Sequence, residues 1–400
     1  MKTNLIYFYI YRIISRSYFH LPVLFVYFYI KDIPLLQIEL LLAVYGFMLI
    51  ISSKWNVLLG QRLKKKYVIA LGEIIKAIGL VCFLFSSNIL ILIVGQILSG
   101  IGYSLAVGTD ASLLRSLFSN EMSEQYKKVE SSSNSFMFIS FLLSGILGSI
   151  IFQWNAEYVF YFSIGANIIA TLSIILITEK NIDEAPMNIN QRINKDIHSQ
   201  IVPENIFWKN YYALARGFSQ AVFVGFLPYL FFITIKVNFY YFGMILSLFT
   251  ITGFFSARFI IKLSKKIDKR KLAFGTVFMA TLSIILFSFS ENYFISIIAI
   301  SLLGFSSGGV RPLTFSNLNT TEMSDNQRSL FFSSIEKLYG FWNVFLLIGG
   351  GILFYLTNFK NIMLLFAAIY VISSIFIFKK YEISPSGYAT NKKMNSEVLK

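Results

Sequence analysis

Cysteine is almost missing from this 400-residue chain. Cys82 stands alone, which excludes an intramolecular disulfide and a thiolate metal cluster. Charge is scarce too: 14% of residues are charged, against about 25% in soluble domains. With 56% hydrophobic residues and a mean hydropathy of +0.65, an ordinary soluble domain is ruled out. No Asp or Glu falls near the middle of any long apolar run. No catalytic constellation, phosphate-binding glycine loop or metal-ligating cluster appears. An enzyme or an ATP-driven pump is therefore not expected, and neither is a cofactor.

What the chain does have is apolar runs long enough to cross a bilayer. They fall near 7–30, 35–59, 67–86, 88–112, 133–152, 157–177, 210–235, 239–261, 272–290, 293–314, 334–356 and 361–378. The abundant Phe and Tyr suit lipid-facing surfaces and interfacial belts. Twelve is even, so both termini share a side. One alternating set of connections carries Arg62, Lys64, Lys65 and Lys66, then Lys127 and Lys128, then Lys262 to Lys271, then Arg328. The other set holds little beyond Lys31, Lys236 and Lys360. The positive-inside rule makes the basic side cytoplasmic. The expectation is a multi-pass protein of a bacterial inner (cytoplasmic) membrane with both termini inside. The net charge of +15 fits that asymmetry better than a nucleic-acid groove. The first run is too long for a signal peptide, carries arginines and lacks a small-x-small cleavage site, so it reads as an uncleaved span.

The polar stretch after the sixth run divides the chain. Expected units are a first six-helix bundle (1–178), a cytoplasmic linker (179–209), a second six-helix bundle (210–380) and a cytoplasmic tail (381–400). His198, in the linker, reads as merely solvated. The halves repeat one another. Arg16-Ser-Tyr-Phe-His20 in span 1 matches Arg216-Gly-Phe-Ser-Gln220 in span 7. Gly100 matches Gly304. The loop from Ser119 to Lys128 matches that from Thr320 to Arg328. Repeated six-span units with a central loop are a transporter pattern, with the substrate site between the halves.

The chain resembles the major facilitator superfamily, and within it the drug- and toxin-efflux members. Val57-Leu-Leu-Gly-Gln61-Arg62-Leu-Lys-Lys-Lys66 matches the family's basic loop between spans 2 and 3. The acidic position is Gln61, and the glycines are displaced. Leu263 to Lys271 is a similar copy, with Lys266 at the arginine position. The resemblance implies a cytoplasmic latch in which Arg62 pairs with Asp110, and assigns gating to Arg62, Asp110 and Lys266. Gly100-Ile-Gly102 is kept, but the arginine linked to proton coupling is Gln96. Ser144-Gly-Ile-Leu-Gly-Ser149 lacks the proline of the drug-antiporter motif. The implied fold class is an all-α membrane protein of twelve transmembrane helices in two pseudo-symmetric six-helix bundles, with spans 1, 4, 7 and 10 lining the cavity.

In span 1 Arg12, Arg16 and His20 recur every four residues, one face of a continuous helix. Counting down from Lys31-Asp32 places His20 roughly at the midplane at 1.5 Å per residue. Arg16 lies a turn deeper, and Arg12 sits near the cytoplasmic headgroups as an interface anchor. Tyr27 joins them. Span 4 offers Gln96, Tyr103 and Asp110; span 7 offers Tyr212, Arg216 and Gln220; span 10 offers Ser306 and Ser307. Expected substrate contacts are Arg16, His20, Gln96, Tyr103, Arg216 and Gln220. Arg216 is equally placed to snorkel to lipid phosphates. Facing arginines suit a phosphate or carboxylate, and the family's organophosphate antiporters use a similar pair.

His20 is the best-placed proton-active group. Glu73 with Lys76, and Glu336 with Lys337, read as structural pairs, with Glu73 and Glu336 as further proton-coupling candidates. Glu39 reads as an outer-gate or surface residue. The expected function is alternating-access export of a small toxic or antibiotic-like molecule, anionic or peptide-like, driven by protons and giving resistance or self-immunity. The rivals are a proton-coupled importer of a nutrient or organic anion, and a non-transporting membrane receptor or assembly protein. Expected partners are the small-molecule substrate, protons and the lipid bilayer, with no nucleic acid and a monomeric state.

Overall fold

The structure is a computed structural model that describes residues 2–107, 109–118, 123–179, 203–290, 292–315, 317–318 and 325–381. It is an all-α membrane protein of twelve transmembrane helices in two pseudo-symmetric six-helix bundles. Among the described residues, eleven helices are long and apolar enough to cross a bilayer. The twelfth span is the first, and it is broken.

Span 1 runs as a helix over Lys2–Ile14, loses helical form, then resumes as a short 3-10 turn, Leu21–Val23, and a helix, Leu24–Tyr29. The continuous helix expected from Tyr11 to Ile30 does not form. Pro22 explains this: it lacks an N–H, clashes with the carbonyl four residues back and disfavours helix at Leu21. Helical ends leave carbonyls unpaired. Here Ile13 O accepts from Ser140 Oγ of span 5 at 2.7 Å and from Ser17 Oγ at 3.3 Å. The broken segment presses its Phe19 carbonyl onto span 5 where Gly148 offers no side chain. Gly148→Val is expected to push these apart and cost about 1–3 kcal/mol, as overpacking does, lowering the melting temperature in detergent.

Spans 2, 3, 4 and 6 are Leu35–Arg62, Lys65–Phe85, Ile89–Ala106 and Tyr158–Ile175. Spans 5 and 11, Ser123–Trp154 and Asp325–Leu356, each hold 32 residues, and their equal length repeats the sequence symmetry. Span 7 begins at Pro203 and turns π-helical over Val222–Phe226 and Tyr229–Thr234. Spans 8, 9, 10 and 12 are Phe239–Leu263, Lys269–Ser288, Tyr293–Phe315 and Phe359–Lys380. The tight connections are capped: Asn88, Asp268 and Asn358 each accept from backbone N–H groups of the next helix, and Glu179 accepts from Lys65 N and Lys66 N.

The halves meet along two symmetry-related seams, span 2 on span 11 and span 5 on span 8. Phe85, Trp154, Tyr293, Phe294 and Tyr355 are exposed at the span ends opposite the termini, an aromatic belt of the interfacial kind.

Candidate functional site

A cavity of about 350 Å³ opens between the halves. Arg16, His20, Gln96, Tyr103, Arg216 and Gln220 all line it, as do Asp110 and Glu336. The structure brings these residues together in one cavity, although the continuous helix assumed for span 1 is absent. The other expectations fare unevenly. Tyr27 is buried away from the cavity and donates to Phe83 O at 3.0 Å. Ser306 donates to Thr276 O at 2.7 Å, while its neighbour Ser307 lines the wall. Lys266 is exposed. Arg62's side chain and His198 lie outside the described residues, so the proposed latch of Arg62 on Asp110 is not placed.

Arg12 is the clearest correction. It is 1% exposed, not an anchor in the headgroups. Its Nη1 donates to Asp110 Oδ2 at 2.5 Å, and its Nη2 to both Glu130 oxygens at 3.1 and 3.2 Å. Arg311 of span 10 approaches the same Glu130 at 3.8 Å, so this cluster links the halves. Glu130 escaped the sequence reading because span 5 starts ten residues earlier than its apolar run. The polar first turns looked like loop.

Arg216 is also paired. Nη1 donates to Glu336 Oε1 at 2.7 Å, Nη2 donates to Tyr103 OH at 2.6 Å across the cavity, and the guanidinium lies 4.3 Å from the Tyr339 ring centroid. Glu336 thus takes Arg216 rather than the Lys337 expected for it. Lys76 faces Glu73 at 2.6 Å, as the i,i+3 spacing implied, and also lines the cavity.

Arg16 is different. Its Nη1 donates to the neutral Tyr18 OH at 2.8 Å, and its guanidinium packs 5.2 Å from the Tyr103 ring centroid. Its acidic neighbour, Asp110 Oδ2, is 3.7 Å away and already binds Arg12. Of Arg12, Arg16 and Arg216, Arg16 is the one held most loosely by acids, so it retains positive potential for a ligand.

His20 is pinned by span 6. Its Nδ1 lies 2.9 Å from Ser163 Oγ, and its backbone N–H donates to the same oxygen at 3.3 Å. Ser163 Oγ spends its own hydrogen on Val159 O at 2.8 Å. It can then only accept, so Nδ1 carries the ring proton and Nε2 keeps the lone pair. Phe160 stacks on the ring at 5.8 Å.

The wall also holds residues that sequence reasoning missed: the amides Asn167 and Asn343, and the aromatics Tyr18, Tyr45, Phe223 and Phe249. Tyr18 sits inside the repeated Arg16–His20 motif, which was a usable signal. Asn167 and Asn343 lie in helices that the four-span cavity rule leaves out.

The sequence pattern of the Major Facilitator Superfamily matches residues 8–328, most of the chain. The chain belongs to that superfamily. Many solved structures share its fold, two of them as follows. The crystal structure of a mutant form of the nucleoside transporter NupG aligns with a TM-score of 0.73 at 13% identity, covering 94% of this chain and 99% of that one. A second crystal structure of the nucleoside transporter NupG aligns with a TM-score of 0.72 at 13% identity, covering 96% and 99%. Identity this low carries the architecture alone. No curated protein sequence matches the chain. The superfamily and the fold make this multi-pass membrane protein a secondary transporter rather than an enzyme.

Proposed function

We propose that this superfamily member moves a small amphipathic molecule bearing one acidic group across a bacterial inner membrane, with both termini cytoplasmic. Export of a toxic or antibiotic-like compound, driven by protons, is the working direction. Arg16 carries the reading. It keeps loosely compensated charge in a cavity whose wall is rich in aromatic rings, and such a wall suits an apolar body with an anionic head. Arg12 and Arg216 are taken by carboxylates, so a doubly charged phosphate gripped by facing arginines is disfavoured. His20 is the proposed proton carrier, because Ser163 leaves Nε2 free to accept. Glu73 and Glu336 are the further proposed proton-coupling carboxylates. Arg62, Asp110 and Lys266 remain the proposed gate on the cytoplasmic face, with the protein acting as a monomer.

The amides support a second reading. Gln96, Asn167, Gln220 and Asn343 offer paired donors and acceptors to an uncharged base or sugar. The shared architecture with a nucleoside transporter is consistent with uptake of such a metabolite. One experiment separates the readings. The chain is expressed in a hypersensitive host exposed to antibiotics and toxic peptides, and uptake of labelled nucleosides and organic acids is measured in parallel. Protection that vanishes when the proton gradient is collapsed is the expected result. Accumulation of a labelled metabolite with no protection would replace export by uptake. Activity indifferent to the gradient would remove the proton.

A further inference from the structure

Glu39 plays none of these roles, yet it is among the most enclosed acids in the protein. It sits in the second turn of span 2, toward the face opposite the termini, and is 0% exposed. Neither carboxyl oxygen has a hydrogen-bond partner among the described residues. Its surroundings are built for it. A methyl group at Gly225 of span 7 would come within 2.7 Å of Glu39 Oε2, and one at Gly351 of span 11 within 2.9 Å of Glu39 Cβ. Gly225 lies in the π-helical turn Val222–Phe226, an irregularity that recurs at functional sites. The first half of the molecule therefore pushes a carboxyl into a slot formed by two glycines of the second half.

The slot itself is apolar. Gly225 of span 7 and Gly351 of span 11 face Glu39, with Leu36 of span 2 one turn back beside Gly351. None of these titrates, and among the described residues Glu39 makes no ion pair. Glu73, Glu130 and Glu336 each face a cation; Glu39 faces none among the described residues. An ionised carboxylate sealed without a partner is strongly unfavourable, and in practice such a group takes up a proton instead. A metal cation is a poor substitute, because hard cations require several oxygens around them and the slot offers one carboxyl against glycine and leucine.

We propose that Glu39 is a proton-binding site that controls the seam between spans 2, 7 and 11. The seam closes on the neutral acid and parts when the carboxyl is ionised. The step is a simple proton exchange with water on the face opposite the termini. When the halves separate there, the carboxyl is hydrated and releases its proton to water. When they close, it must first take one back. Closure binds one proton more than opening, so acid favours the closed seam and alkali the open one. This does not depend on the identity or direction of the substrate.

The test places spin labels at Ser87 and Lys360, exposed positions on that face in opposite halves, after Cys82→Ala. Inter-label distances are measured in lipid nanodiscs as pH is raised from about 5 to about 9. The wild-type seam is expected to move from short to long distances, the ratio changing by up to about tenfold per pH unit, the limit for one proton. Glu39→Gln, neutral at every pH, should hold the short distance throughout. Gly225→Ala, which crowds the carboxyl without altering its charge, supplies a second arm and should lengthen the distance at low pH. A Glu39→Gln protein that keeps the wild-type pH response overturns the proposal. So does a wild-type seam that ignores pH and responds to sodium.

Discussion

Arg12→Ala is expected to destabilise the protein by about 3–5 kcal/mol, the range seen when one partner is removed from a buried ion pair. The reason is what stays behind. Asp110 is 2% exposed and accepts from Arg12 at 2.5 Å. Without the guanidinium, Asp110 loses that bond while Arg16 stays 3.7 Å away, and Glu130 loses its two-oxygen contact. Removing the charge from Asp110 at the same time should recover part of the loss, so Arg12→Ala with Asp110→Asn is expected to melt above Arg12→Ala alone. Thermal unfolding in one detergent checks both. An anchor in the headgroups would have behaved otherwise: its loss would move the melting temperature little, and Asp110→Asn would not compensate.

Arg16→Ala is expected to spare the fold and to weaken substrate binding by about 30-fold or more, the lower end of the 2–5 kcal/mol that losing one side of a desolvated charge pair costs. Arg12 remains on Asp110 in this variant, so stability changes less than for Arg12→Ala. Arg16→Lys should restore little, since an ammonium lacks the planar fork that grips a carboxylate and stacks on Tyr103. Binding of an acidic substrate and of its amide analogue, measured side by side, gives the decisive comparison. Wild type should prefer the acid, and the preference should disappear in Arg16→Ala. An unchanged preference would move the acidic group away from Arg16. Retention of full affinity for both compounds would favour the amide-lined reading, in which Gln96 and Asn343 do the recognising.

Much of the fold was legible in the sequence because its causes are local. Length and apolarity of a run decide whether it spans. The alternation of basic loops and the match of Arg16–His20 with Arg216–Gln220 exposed the two-fold repeat. That repeat then brought the residues of spans 1, 4 and 7 to one cavity. The break in span 1 was also written in the sequence, in Pro22, but the four-residue spacing of charges obscured it. The cavity residues are unaffected, since a broken helix still delivers Arg16 and His20 to the space between the halves.

Charge partners were not legible, and the reason is distance along the chain. Arg12 meets Asp110 and Glu130 across 98 and 118 residues, and Arg216 meets Glu336 across 120. Sequence spacing favours near neighbours, so it offered Glu336 to Lys337 and sent Arg12 to the lipid. Glu39 shows the same limit from the other side. Four residues into span 2, it read as an outer-gate or surface residue because helix ends usually lie at an interface. The glycines of spans 7 and 11 enclose it, and only packing between the halves could reveal them. Hydrophobic length and repetition act within a segment, so the order of residues suffices for the twelve spans, their doubling and the cavity they form. An ion's energy depends instead on neighbours brought in from distant parts of the chain. Which charges are bound, which one stays available and which acid is sealed are therefore settled only when the two halves pack together.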